Sequence, residues 1–143
     1  MNYIDDALYK KIIKKIPILC IDLIIIYQKQ FLLVKRNQNP LMNEWWVPGG
    51  RVRQGELLED AAIRKLNQEL SIYEYSGLKK YGIYQDYFKE SSIGSHLYHT
   101  VSIVYKLNIN NISTIEIDNT SKEWKLLDRL PNRLINKMEK INE

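Results

Sequence analysis

A glycine, a glutamate and an arginine at fixed spacing constrain this chain more than any other feature. Gly50 is followed after five residues by Glu56 and after a further seven by Arg64, within "GGRVRQGELLEDAAIRKLNQELSI". Gly49 and Gly50 remove side chains where the backbone must turn, so main-chain groups can approach a metal or phosphate closely. Leu58, Ala62, Leu66 and Leu70 fall on one stripe and predict a helix over 56–70. The same helix presents Lys65, Gln68 and Glu69 at three- and four-residue steps, a face that can offer a carboxylate to a cation. Two helical turns separate Glu56 from Arg64, too far for neighbours on one straight helix, so Glu56 is expected to reach Arg64 from the turn that starts the helix.

Around this segment the apolar pattern alternates between helix and strand. Residues 3–15 read as a helix, stopped before Pro17. Ile18–Tyr27 and Phe31–Lys35 read as a hairpin turning at Gln28–Gln30. The loop "RNQNPLMNEWW" follows, and Val52 is assigned to a short strand. Leu78–Phe88 and Leu97–Ile109 read as long strands joined by "KESSIGS", and Glu123–Leu127 as another strand. "DRLPNRLINKMEKINE" reads as a closing helix with Pro131 near its first turn. Helices interspersed with strands predict a single α/β domain over 1–143, layered around a mixed sheet.

A chain of 143 residues needs no second domain. The single Cys20 can form no intramolecular disulfide, and the first residues lack a signal-peptide pattern, so a cytoplasmic protein is expected. The apolar run from Ile16 to Tyr27 is broken by Pro17 and Asp22 and is too short for a membrane-spanning helix, so no membrane association is expected. The net charge of +4 comes from basic residues interleaved with acids, which argues against a nucleic-acid partner and suits a small anionic substrate equally well.

The spacing resembles the box of the Nudix hydrolases. Gly50, Glu56, Arg64, Leu66, Glu69 and Ile72 match the family pattern, whereas Lys65, Gln68 and Ser71 depart from it. The resemblance implies a Nudix-type α/β/α sandwich. In the family, the acids replaced by Lys65 and Gln68 bind metals or activate water, so their loss argues against the multi-metal cleavage of a phosphoanhydride. The depleted box, with "DLIIIYQKQFLLVKRNQNPLMNEWWVPGGRVRQGE" before it and "YGIYQDYF" after it, is similar to the GDP-mannose mannosyl hydrolase branch of the family. That likeness implies Mg²⁺-dependent release of GDP and free sugar from a nucleotide sugar, GDP-mannose or a related GDP-hexose, by water attack at the anomeric carbon. It implies one Mg²⁺, with Mn²⁺ as the alternative ion, held by the Gly49 carbonyl and Glu69. Arg36 would contact phosphates or sugar, with Arg51 and Arg64 as further basic site residues. It also implies a homodimer in which the N-terminal segment, with Tyr3 and Tyr9, helps to form the partner's nucleotide site.

The branch carries a glutamine ligand and a histidine base in a late loop, where this chain has Thr120 and Ser121 within "EIDNTSKEWKLL". A serine hydroxyl alone is no base near neutral pH. The role is therefore left open among Asp118, Asn119 and Glu123 after a loop shift, another base elsewhere, and a weakened enzyme. Two other readings stand beside the glycosyl hydrolase: a pyrophosphohydrolase of nucleoside diphosphate derivatives, and a nucleotide-sugar binding module without turnover. His96 and His99, the only histidines, are read as structural before catalytic, and Trp45 and Trp46 as packing residues.

Overall fold

One strand that is apolar on both faces organises the molecule. In the computed structural model, which describes residues 4–141, that strand is β1 (Ile18–Tyr27), buried along Ile21–Ile25. Successive side chains on a strand point to opposite faces. Ile21, Leu23 and Ile25 accordingly pack against Leu66 and Leu70 of α2 (Leu58–Leu70), while Ile24 packs on the other side with Leu134 of α3 (Asn132–Lys137). The chain is thus an α/β sandwich with helices on both faces of its sheet.

The remaining elements are α1 (Asp6–Ile13), β2 (Gln30–Arg36), β3 (Trp45–Trp46), β4 (Gly49–Arg51), β5 (Ser76–Ser91), β6 (Gly94–Asn108), β7 (Ser121–Leu127) and β8 (Glu139–Lys140). The sheet runs β3-β2-β1-β6-β5-β8, with β4 also on β1 and β7 on β2. It is mixed, because β1 and β6 pair in parallel and the other pairs are antiparallel. On the edge away from β6, strand β1 is shared between two partners. Near its end Ile26 and Tyr27 pair with β2, but near its start Cys20, Ile21 and Asp22 pair with β4. Strand β2 pairs instead with β3 and β7 along the rest of its length, and the parting of β1 from β2 opens the cleft described below.

The hairpin forms, but its turn is one residue shorter than Gln28–Gln30, because Gln30 already pairs with Tyr27 as the first residue of β2. The turn is the pair Gln28 and Lys29, both at positive φ (48° and 68°), which matches the strand twist in a two-residue connection. Helix α1 is shorter than the segment 3–15. Asp5 caps it by accepting from the Leu8 amide at 2.8 Å, and residue 3 lies outside the described residues. Helix α2 begins at Leu58, two residues later than the periodicity suggests, and ends on Ser71 in the left-handed conformation (φ 53°).

The closing helix is a correction. Only Asn132–Lys137 is helical; Met138 is extended, and Glu139 and Lys140 pair with Ile83 and Gly82 of β5. Gly82 permits this, since a Cβ there would fall 2.6 Å from the Met138 side chain. Helix α3 is fixed by the fully buried Asp86, which accepts from Arg133 through both oxygens at 2.6 Å and pairs with Lys137 at 3.2 Å. No helix among the described residues is long and apolar enough to cross a membrane.

Leu66 is fully buried under the sheet, whereas Leu57, at the start of the same helix, is 70% exposed. Urea unfolding should show Leu66→Ala losing about 3 kcal/mol, the cost of a core cavity. Leu57→Ala should change stability by about 0.5 kcal/mol or less.

Candidate active site

The parting strands leave a cleft of about 300 Å³. Its floor is formed by Cys20 and Asp22 of β1 with Tyr84, Thr100 and Ser102 of the neighbouring strands. Strand β4 and the Lys65/Glu69 face of α2 make one wall, and Arg36 with the loop Gln38–Leu41 makes another. Tyr9 of α1 and Thr120 and Ser121 of the late loop complete the rim.

The glycine loop is held by the box glutamate and arginine. Gly55, at φ 77°, turns the chain so that Glu56 precedes the helix. Arg64 donates to Glu56 through Nε (2.7 Å) and Nη2 (2.9 Å), and again through Nη2 to the Arg51 carbonyl (3.0 Å). Glu56 also accepts from the Arg53 amide at 2.9 Å. The expectation that Glu56 reaches Arg64 from the preceding turn therefore holds. The Arg64 guanidinium is committed to this fork and lies outside the cleft lining, so it positions the loop while Arg51 reaches the site.

The two glycines have different reasons. Gly49 lies opposite Asp22 in the ladder, where an added Cβ would collide with the Ile21 carbonyl and the Asp22 carboxylate. A Cβ on Gly50 would fall 2.6 Å from Lys65 Nζ, so this glycine makes room for the lysine side chain.

The cleft gathers three cations. Arg36 sits at a register shift between β2 and β7, a bulge that re-aims its side chain, and its Nε donates to the Pro40 carbonyl at 2.6 Å. The Arg51 guanidinium lies 4.0 Å from the centre of the Tyr9 ring, whose hydroxyl meets that of Tyr98 at 3.1 Å. Lys65 pairs with Glu69 at 3.3 Å, and both side chains are largely buried, at 19% and 9% exposure. Burial pushes the Glu69 carboxyl up to about 7; Lys65 opposes the shift and Asp118 adds to it.

Of the other expected site residues, Ser121 lines the cleft, and Asp118 stands close enough for its charge to act on Glu69. Asp118 accepts from the Thr120 amide at 3.0 Å and from the Thr120 hydroxyl, so it braces the late loop. Its own amide donates to the Glu69 carbonyl at 3.1 Å, and Asn119 offers its carbonyl to the Asn37 side chain. Glu123 lies outside the cleft lining; its side chain is 59% exposed and faces Lys35 at 4.0 Å. Strand β7 starts at Ser121, which leaves no shifted loop to bring Glu123 inward. Tyr3 lies outside the described residues.

Asp22 is a site residue that the sequence reading missed. Asp22 is buried, accepts a hydrogen bond from the Tyr84 hydroxyl, and is pushed by burial up to about 6, with Tyr84, Arg36 and Ser102 opposing. Its signal in the sequence is an acid inside an apolar strand, a placement that requires a compensating partner.

The chain matches the family model "NUDIX domain" over residues 20–141. It belongs to the Nudix family. Among relatives, the Low-salt glycan biosynthesis protein Agl8 of Haloferax volcanii is 25% identical over 126 residues, 87% of this chain and 80% of that protein. The ADP-ribose pyrophosphatase of Methanocaldococcus jannaschii is 33% identical over 82 residues, covering 50% of this chain and 48% of its own. Among solved structures, the NUDIX domain of Shewanella oneidensis NrtR complexed with ADP ribose superposes with a TM-score of 0.63 at 19% identity, over 87% of this chain and 77% of that one. This likeness concerns the fold.

Nudix enzymes generally use divalent ions such as Mg²⁺ or Mn²⁺. Among the described residues no three Asp, Glu, His or Cys side chains form a group able to hold a metal. Glu69, the acid expected to bind the ion with Gly49, is already engaged by Lys65. The donor set of this Nudix domain does not fit a divalent ion while that pair persists.

The Glu56–Arg64 pair makes a pH prediction. Hydrogen bonding from Arg64 outweighs burial and lowers the Glu56 carboxyl from 4.5 to about 2. Its stabilisation is complete above pH 4.5 and is lost as pH falls toward 2. Glu56→Gln should therefore lose on the order of 1–3 kcal/mol at neutral pH. Its urea-unfolding stability should also vary less than the wild type's between those two pH values.

Proposed function

We propose that this Nudix domain hydrolyses a nucleoside diphosphate sugar, GDP-mannose or a related GDP-hexose, releasing the nucleoside diphosphate and free sugar. The observation that carries this reading is the convergence of Arg36, Arg51 and Lys65 on one cleft beside the buried carboxylates Asp22 and Glu69. Such a site can stabilise a departing diphosphate, because guanidinium and ammonium groups fixed in a partly dry cleft match the charge that develops on the leaving oxygen. The bond from the anomeric carbon to the phosphate oxygen breaks, water forms the new bond to carbon, and its proton passes to a carboxylate. Asp22 is the acceptor we assign, since it lies in the floor of the cleft, whereas Glu123 faces solvent. Ser121 and Tyr9 would then contact the substrate from the rim. The relative named for glycan biosynthesis supports a sugar-linked substrate.

The single Mg²⁺ expected at Gly49 and Glu69 would have to take Glu69 from Lys65. The second reading, pyrophosphohydrolysis of a nucleoside diphosphate derivative, is favoured by the relative named ADP-ribose pyrophosphatase.

Incubation with GDP-mannose, GDP-fucose and ADP-ribose in ¹⁸O-water, with and without Mg²⁺, separates the two. Free sugar plus nucleoside diphosphate without ¹⁸O is the expected result, whereas a monophosphate plus a sugar phosphate or ribose phosphate would establish the second reading. Arg36→Ala should lower kcat/KM by about 10²-fold or more if its charge meets the leaving group. Asp22→Asn should lower kcat by about 10²-fold with a smaller effect on KM.

A further inference from the structure

We propose that the Lys65 ammonium, held beside Gly50 by Glu69, is the cation this cleft offers to a diphosphate in place of a divalent metal ion. The inference rests on the reading that the cleft binds a diphosphate, and it concerns how that group is neutralised.

Three independent features converge on Lys65. Its partner is the carboxylate a metal would need: Nζ lies 3.3 Å from Glu69 Oε1, with both side chains largely withdrawn from solvent. A buried carboxylate without a counter-charge is costly, and the lysine supplies that charge from one helical turn away. Gly50 leaves the lysine space in its present position, since a side chain there would meet Lys65 Nζ and Cε and push them aside. Among the described residues no group of three metal-binding side chains forms, so no all-protein cage competes with the lysine for Glu69.

A divalent ion on Glu69 would stand next to the ammonium on the same carboxylate. Like charges so close repel, so either the ion is excluded or the lysine swings out of the cleft. The lysine is tethered to α2 and already seated, whereas the ion must be drawn from solution. Lys65 also shares the cleft lining with Arg36 and Arg51, so a bound diphosphate would meet three fixed positive charges without an added ion. An ammonium supplies three donors to phosphate oxygens as a point charge, a role lysine fills at other phosphate sites.

Calorimetric titration with GDP and ADP, in EDTA and in excess Mg²⁺, tests this. Wild-type affinity for the tighter of the two should differ by less than about tenfold between the buffers. Lys65→Gln should bind at least about tenfold more weakly than wild type in EDTA, and Lys65→Arg, which keeps the charge, should stay within that limit. Lys65→Glu, which places a second acid beside Glu69, should bind only when Mg²⁺ is present. Thermal melting of each variant confirms that it is folded. A wild-type affinity that rises by tenfold or more with Mg²⁺ overturns the inference while leaving the diphosphate reading intact. Lys65→Gln or Lys65→Glu binding like wild type in EDTA overturns it in the same way. Absence of binding in both buffers overturns both.

Discussion

The site depends on the three hydrogen bonds of the Arg64 guanidinium. One side chain from the middle of α2 reaches the Glu56 carboxylate through two nitrogens and the Arg51 carbonyl through one. It thereby joins the helix to the turn before it and to strand β4. An arginine can do this because its planar fork is pre-organised and permanently charged, and a lysine in its place would hold only one point. Once the fork closes, the backbone of Gly49–Arg51 has a fixed relation to α2. The side chains that face the cleft from both elements inherit that relation.

On this frame the cleft is cationic. Helix α2 contributes Lys65, β4 contributes Arg51 and the end of β2 contributes Arg36, with the Lys65–Glu69 pair at the inner wall. Three acids at or near this wall have partners: Glu69 pairs with Lys65, Asp22 accepts from Tyr84, and Asp118 accepts from Thr120. Of these partners Lys65 brings a countercharge, whereas the Tyr84 and Thr120 hydroxyls hydrogen-bond their carboxylates without neutralising them. Arg36 and Arg51 face the same space as Lys65, so the cleft suits an anion that spans all three.

Local features of the fold were legible in the sequence because they depend on local chemistry. The apolar run Ile18–Tyr27 and the stripe Leu58, Ala62, Leu66, Leu70 each declare their element through spacing, although the hairpin turn proves one residue shorter than the sequence suggests. The box spacing likewise places Glu56 against Arg64, as their hydrogen bonds confirm. The failures are non-local. Nothing in "NRLINKMEKINE" tells that Glu139 and Lys140 will find β5, because that pairing is permitted by Gly82, more than fifty residues earlier. Asp22 and Tyr84 lie 62 residues apart and become a pair only when β1 and β5 enter one sheet. Glu123 was a candidate through proximity to the late loop, but β7 begins before it and the pleat decides which way it faces. Lys65 stood in view as a missing acid; that it fills the space beside Gly50 depends on how closely β4 lies against α2.

The family match begins at residue 20, yet one wall of the cleft comes from before it. Tyr9 reaches the site from α1, with Arg51 resting on its ring and Tyr98 holding its hydroxyl. Helix α1 rests on a small apolar cluster of its own, Tyr9 and Ile13 with Ile18 and Tyr98, apart from the two cores that close the sandwich. The catalytic frame and the outer wall are therefore built from separable parts of the chain. A change in α1 therefore acts on the cleft through the Tyr9 ring and the Arg51 guanidinium that rests on it, whereas the Arg51 carbonyl stays with the Glu56–Arg64 fork.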